Sequence, residues 1–80
     1  MGDACGAFNV GYCYLNGIGV EHNKNKAFIH YLKSAEMDNV DGLLEVGYCY
    51  LNGIGVEKDE YKAFTYYQKS AEIELNKALK

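Results

Sequence analysis

Gly11-Tyr-Cys-Tyr-Leu-Asn-Gly-Ile-Gly-Val-Glu21 returns letter for letter as Gly47-Tyr-Cys-Tyr-Leu-Asn-Gly-Ile-Gly-Val-Glu57, an offset of 36 residues. The same offset carries Lys26-Ala27-Phe28 onto Lys62-Ala63-Phe64 and Tyr31 onto Tyr67. It also carries Lys33-Ser34-Ala35-Glu36 onto Lys69-Ser70-Ala71-Glu72, so 19 of the 26 positions from 11 to 36 are identical. Gly6 and Val10 match Gly42 and Val46. A period of this length marks a repeat array in which each repeat is one supersecondary unit stacked on the next.

The unit reads as two helices joined by a glycine turn. Ala7, Val10, Gly11 and Tyr14 fall at i, i+3, i+4 and i+7, an apolar helical stripe, and Leu43, Val46, Gly47 and Tyr50 repeat it. Asn16-Gly17-Ile18-Gly19 then stops the helix, since Gly17 suits the left-handed residue after a C-terminus and Gly19 a turn with positive φ. A second stripe comes next in Ala27, Phe28, Tyr31, Ser34 and Ala35, and again in Ala63, Phe64, Tyr67, Ser70 and Ala71. Asn23 and Asp59 stand where the second helices need an N-cap acceptor. The spacing predicts helices over 3–16, 24–37, 40–52 and 60–73, with 75–80 starting a fifth.

The expected fold class is therefore all-α: a right-handed α/α solenoid of two helix–turn–helix repeats with a 36-residue period. Repeat 1 spans about 3–38 and repeat 2 about 39–74, and 75–80 form the stub of a third, all in one domain. The composition agrees. The chain has 80 residues, 49% of them hydrophobic and 24% charged, with nine Gly, eight Tyr, no Pro and no Trp. No apolar run approaches the length of a membrane span, which excludes direct membrane insertion. The net charge is −3 and Arg is absent, so the basic stripe and the phosphate fork of a nucleic-acid binder are missing. Cys5, Cys13 and Cys49 are odd in number and contain no C-x-x-C pair, and the N-terminus lacks a basic segment with an apolar signal core. These features imply reduced thiols and an intracellular, cytoplasmic location.

The order Gly-x-x-Tyr-x-x-Gly-x-Gly-Val, then Asx, then Lys-Ala-x-x-x-Tyr-x-Lys-x-Ala-Glu resembles the Sel-one-like repeat family, α-solenoid relatives of the tetratricopeptide repeats. Gly11, Tyr14, Gly17, Gly19, Val20, Asn23, Lys26, Ala27, Tyr31, Lys33, Ala35 and Glu36 carry the match, and their counterparts from Gly47 to Glu72 carry it again. Three positions depart from the pattern. Gly6 and Gly42 stand for a small Ala, His30 and Tyr66 for the usual Trp, and Asp38 and Glu74 for the Gly expected after each repeat. The two early glycines lower helix propensity by roughly 1 kcal/mol each. The resemblance implies adaptor or scaffold roles, and first helices that line a concave binding surface.

Projected at 100° per residue, Cys5, Asn9, Tyr12 and Asn16 lie opposite the first stripe, and Asp41, Glu45, Tyr48 and Asn52 lie opposite it in the second copy. Tyr offers large contact area at low entropic cost, and Asn can bond a peptide backbone. Asn9, Tyr12, Asn16, Asp41, Glu45, Tyr48 and Asn52 are therefore the candidate partner-binding residues, with residues 4–20 free of charge. The same two tyrosines could instead cover a neighbouring repeat. Lys26, Lys33 and Glu36, with their copies Lys62, Lys69 and Glu72, read as a solvated outer face laced by Lys33–Glu36 and Lys69–Glu72 pairs.

Catalytic and cofactor motifs are missing. Gly17-Ile-Gly19-Val-Glu-His22 lacks the sixth glycine of a dinucleotide loop and follows a helix instead of a strand. His22 and His30 have no Cys or His partner at metal-ligating spacing. The acidic run Glu57, Asp59, Glu60 lacks the ligand spacing and glycine of a calcium loop. Family members described as β-lactamase-like would need Ser-x-x-Lys, but Ser34 and Ser70 are followed by Ala-Glu-Met and Ala-Glu-Ile. The sequence thus predicts no enzyme, cofactor or metal. It predicts a non-catalytic interaction module that takes a peptide or protein partner on the first-helix face and can self-associate through its ends. The alternative is a spacer segment of a longer array with no ligand of its own.

Overall fold

The computed structural model describes residues 4–79, so position 3 of the expected first helix and Lys80 of the expected stub lie outside the described residues. Four helices run in order: α1 (Ala4–Asn16), α2 (Lys24–Glu36), α3 (Val40–Asn52) and α4 (Glu60–Ala78). No strand occurs among the described residues. The result is an all-α helical repeat solenoid, 41 × 30 × 15 Å.

Glycine and Asx residues set the helix ends. Gly17 and Gly53 adopt φ of 66° and 69°, and the amides of Ile18 and Ile54 reach back 2.9 Å to the Cys13 and Cys49 carbonyls. The chain then turns so that the Asn23 and Asp59 amides donate to the Tyr14 and Tyr50 carbonyls at 2.9 and 2.8 Å. The side chains of Asn23 and Asp59 accept from the Lys26 and Lys62 amides, both at 3.0 Å, and so cap α2 and α4 as expected.

Between repeats the corner is built differently. Asp38 takes φ 58°, the left-handed conformation that the missing glycine would supply, and an Asx residue tolerates it. Asn39 then caps α3 by accepting from the Gly42 amide at 2.9 Å. The second repeat does not repeat this corner. Residues 74–78 continue α4 for a total of 19 residues, which corrects the expected fifth helix at 75–80. Glu74 and Leu75 replace Asp38 and Asn39, and neither can take the left-handed turn or the cap at low cost. Glu, Leu, Lys and Ala then all favour helix.

The core lies between the two hairpins. Ala27, Phe28, Tyr31 and Ala35 of α2 meet Leu43, Val46 and Cys49 of α3 in one buried cluster. The whole expected stripe of α2 is buried, whereas α4 buries only Ala63 and Ser70. Val46 is 0% exposed but its copy Val10 is 40% exposed, because no hairpin among the described residues stacks on that side of α1. Two glycines allow the close approach of hairpins. A methyl group on Gly42 would stand 2.5 Å from the Ser34 hydroxyl oxygen, and one on Gly55 would overlap the Lys24 carbonyl. The Gly42 that lowers helix propensity is thus required by packing. Within each hairpin α1 packs on α2 and α3 on α4. Across hairpins α2 packs on α3 and the α1 backbone approaches α3, while the α2 and α4 backbones stay apart among the described residues. The stack is therefore tighter on the side of the first helices.

Candidate functional site

Tyr12 and Tyr48 sit one repeat apart on α1 and α3, each 50% exposed. Asn9, Asn16, Asp41 and Asn52 are also exposed, and Glu45 alone of the expected residues is half-buried. Asn16 and Asn52 are partly committed. Each donates one Nδ2 N–H to the carbonyl four residues back, Tyr12 O at 3.0 Å and Tyr48 O at 3.1 Å. At the other end of the face, Asn9 and Asp41 share a depression of about 230 Å³ with Cys5, Phe8 and Asn39.

Two further tyrosines reach this face from the second helices. The Tyr31 ring lies against the bare Cα of Gly11, and that of Tyr67 against Gly47. A Cβ at either glycine would stand within 3 Å of the ring, at 2.9 and 2.8 Å. Each ring thus passes through a gap that its partner glycine opens. The Tyr31 ring also meets Phe8 at 5.4 Å in a tilted pair. Its hydroxyl is completely enclosed and makes no hydrogen bond of good geometry. Burial raises the Tyr31 phenol well above its ordinary value, and the neighbouring Glu45 carboxylate, Cys49 and Tyr12 add to that. Tyr67 is raised by burial and by Glu45, Tyr48 and Cys49. Tyr31, Cys49 and Tyr67 thus neighbour the Glu45 carboxylate, the first two of them buried beneath the face.

Glu45 is itself pushed above the ordinary carboxylate range, chiefly by burial and further by Asp41, while the Tyr31 hydroxyl works in the opposite direction. Burial beside Glu45 pushes the Cys49 thiol up to about 11, so it is a protonated packing group at neutral pH. Composition and periodicity place Tyr31 and Tyr67 in packing stripes and do not point to their hydroxyls. The available signal is chemical. Phe28 and Phe64 show that the second helices also accept Phe, so Tyr at 31 and 67 is the residue choice that singles out these hydroxyls.

The outer face also differs from its expected form. Lys26 and Lys62 lie over the Tyr14 and Tyr50 rings, with ammonium-to-centroid distances of 5.5 and 5.4 Å. The same rings stack on His30 and Tyr66 at 5.6 and 5.8 Å, so the two residues at the usual Trp position pack as aromatics. Lys69 pairs with Asp38 of the other repeat at 3.2 Å instead of with Glu72, and both side chains are exposed enough for the pair to add little stability. No group of three His, Cys, Asp or Glu able to hold a metal ion is found among the described residues, and all three cysteines are free. No helix among the described residues is long and apolar enough to cross a membrane.

The family model for the Sel1 repeat matches the chain twice, at residues 6–39 and 40–73. No curated protein sequence matches the chain. Among solved structures, a Sel1 repeat protein from Oxalobacter formigenes is 35% identical with a TM-score of 0.84, over 86% of this chain and 28% of that one. Helicobacter pylori cysteine rich protein B is 32% identical with a TM-score of 0.84, over 86% of this chain and 52% of that one. The protein c5321, a protective antigen of uropathogenic Escherichia coli with an SLR fold, is 34% identical with a TM-score of 0.86, over 89% of this chain and 15% of that one. The chain thus spans between 15% and 52% of the length of these structures.

Proposed function

Because this chain belongs to the Sel1 repeat family, whose repeats serve in general as scaffolds for protein–protein interaction, we propose that it is a non-catalytic adaptor module holding a peptide segment of a partner along the α1–α3 face. One observation carries the proposal: Tyr12 and Tyr48 are each half exposed at equivalent positions of adjacent first helices. Two aromatic anchors one repeat apart, rimmed by Asn and carboxylate groups, are what an extended segment needs for purchase. The acidic character of the face favours a protein over a nucleic acid. Three free thiols support a reducing, cytoplasmic setting.

The test is a double Tyr12→Ala, Tyr48→Ala variant, assayed against peptides selected on the parent chain from a random display library. Binding should fall by at least about tenfold, with far-UV dichroism unchanged. Peptides that bind the variant as well as the parent would remove the face from consideration.

A second reading, that the chain is a spacer within a longer array and self-associates through its ends, is favoured by a different observation. Val10 and Gly19 expose at one end the surface that Val46 and Gly55 bury between the repeats, and Phe64 exposes at the other end what Phe28 buries. The two open faces are near copies of the two halves of the internal seam, so head-to-tail stacking reproduces an existing interface. Sedimentation should then show concentration-dependent growth that Phe64→Glu suppresses. A strictly monomeric parent chain would exclude this route.

A further inference from the structure

Repeat 1 and repeat 2 differ on the first-helix face in one chemically pointed way. Cys5 and Asn9 of α1 correspond to Asp41 and Glu45 of α3, so both acids of the face stand on one helix, one turn apart. Asp41 in the first turn of α3 is favoured by the helix dipole, but Glu45 one turn on gains nothing from it and repels Asp41, so helix stability gives no reason to keep Glu45. Neither acid takes part in an ion pair among the described residues, and α1 and α3 contain no Lys or Arg that could provide one.

The surrounding groups ask for the same complement. Asn16 and Asn52 each spend one Nδ2 N–H on their own helix, and no bond to either Oδ1 acceptor is seen among the described residues. The half-exposed Tyr48 ring stands one turn after Glu45 on α3, and the half-exposed Tyr12 ring is its copy on α1. The Tyr31 hydroxyl is enclosed beside Glu45 and makes no hydrogen bond of good geometry, so it leaves the carboxylate without a strong partner from within the chain. A half-buried carboxylate, carbonyl acceptors and open π-faces together favour a group that carries positive charge and several N–H donors. The chain already makes half of this pairing elsewhere, with the Lys26 and Lys62 ammonium groups over the Tyr14 and Tyr50 rings.

On the basis of the peptide-holding reading, we propose that the partner segment is cationic, and that a Lys or Arg side chain places its charged group on Glu45 against the Tyr12 and Tyr48 rings. Asp41, one turn before Glu45, extends the negative surface toward the depression that it lines with Asn9 and Phe8, where a second basic side chain of the same segment fits. Arg matches better than Lys, because its planar fork can bond the carboxylate while its flat face lies on a tyrosine ring. The raised protonation tendency of the unliganded Glu45 agrees with a carboxylate whose counter-charge comes from a partner.

The experiment is a selection of random blocked decapeptides displayed against the intact chain, with solution titration of the enriched peptides. Enrichment of Lys or Arg is expected, with affinity falling about tenfold for Glu45→Gln and again when the anchoring Arg is replaced by citrulline. The citrulline peptide leaves the protein untouched, so the result holds even if a variant folds poorly. Raising the salt concentration should weaken the parent complex and leave the citrulline complex nearly unaffected. If enriched peptides are acidic or purely apolar, yet still depend on Tyr12 and Tyr48, the cationic proposal fails and the peptide-holding face stands. If no enriched peptide depends on Tyr12 and Tyr48, both readings fail.

Discussion

Phe28 and Phe64 are the same residue at the same place in the repeat, yet the first is 7% exposed and the second 62%. The difference comes from whether another hairpin packs against the helix that carries each of them. Phe28 meets the Tyr50 ring edge-to-face at 5.4 Å and closes over the seam where α3 packs on α2, while Phe64 stands on α4, the last helix among the described residues. Sequence identity between repeats therefore says little about energetic weight. In a solenoid the repeat supplies half an interface, and a side chain counts only where the other half arrives.

The comparison is tested most severely by matched truncations. Phe28→Ala should cost about 3–5 kcal/mol, enough to unfold most of a chain this small, whereas Phe64→Ala should stay within about 0.5 kcal/mol. Urea melts followed by dichroism read both, and equal losses would mean that the two hairpins are equivalent after all. The turn glycines form the next pair. Alanine at Gly19 or Gly55 carries the penalty of about 1–2 kcal/mol for a left-handed Cβ, at φ of 72° and 74°. Gly55→Ala should be clearly the worse of the two, because only its methyl group would strike the Lys24 carbonyl. Thermal melts that rank the two variants equally would argue against that contact.

Smaller effects of opposite sign are expected at the ends of α2 and α4. Asp38→Gly relieves a left-handed non-glycine residue and should stabilise by up to about 1 kcal/mol, at the expense of one exposed ion pair. Glu74→Gly, at the same repeat position inside a continuous helix, should destabilise by about the same amount. The smallest effect belongs to the acid of the face. Glu45 holds its proton more tightly in the folded chain than in the unfolded one, so stability falls as pH rises from the ordinary carboxylate range through the raised value. Glu45→Gln removes that loss. Its melting temperature should match or exceed the parent's at neutral pH, with the advantage vanishing in acid, and the amide at Asn9 shows that the position accepts one.

The helices were legible because each boundary has a local chemical cause. Gly17, Gly53, Asn23 and Asp59 act through bonds made within a few residues, and those bonds form as the spacing predicts. The continuation of α4 was not legible from the period, which places a corner at Glu74. The corner belongs to Asp38 and Asn39 as residue types, and repeat 2 has neither. On the face, Tyr12 and Tyr48 follow from the 100° arc alone. Tyr31 and Tyr67 do not, because a helical projection shows where a ring starts and not where its far end emerges. That depends on glycines of another helix, Gly11 and Gly47. The two lysines that projection assigns to the solvated face depart from it for a related reason: their flexible stems bring Lys26 and Lys62 back over Tyr14 and Tyr50.

The matched end faces also bear on how such a chain changes length over generations. An exchange between misaligned copies of its coding sequence adds or removes one whole unit, and every new junction joins surfaces that already fit. Gly55 would again lie under a Lys24-like carbonyl and Phe28 against a Tyr50-like ring. Growth by duplication therefore needs no rescuing mutation in the interior, and natural variation is free to fall on the few positions, such as Asn9 and Glu45, that decide what each unit holds.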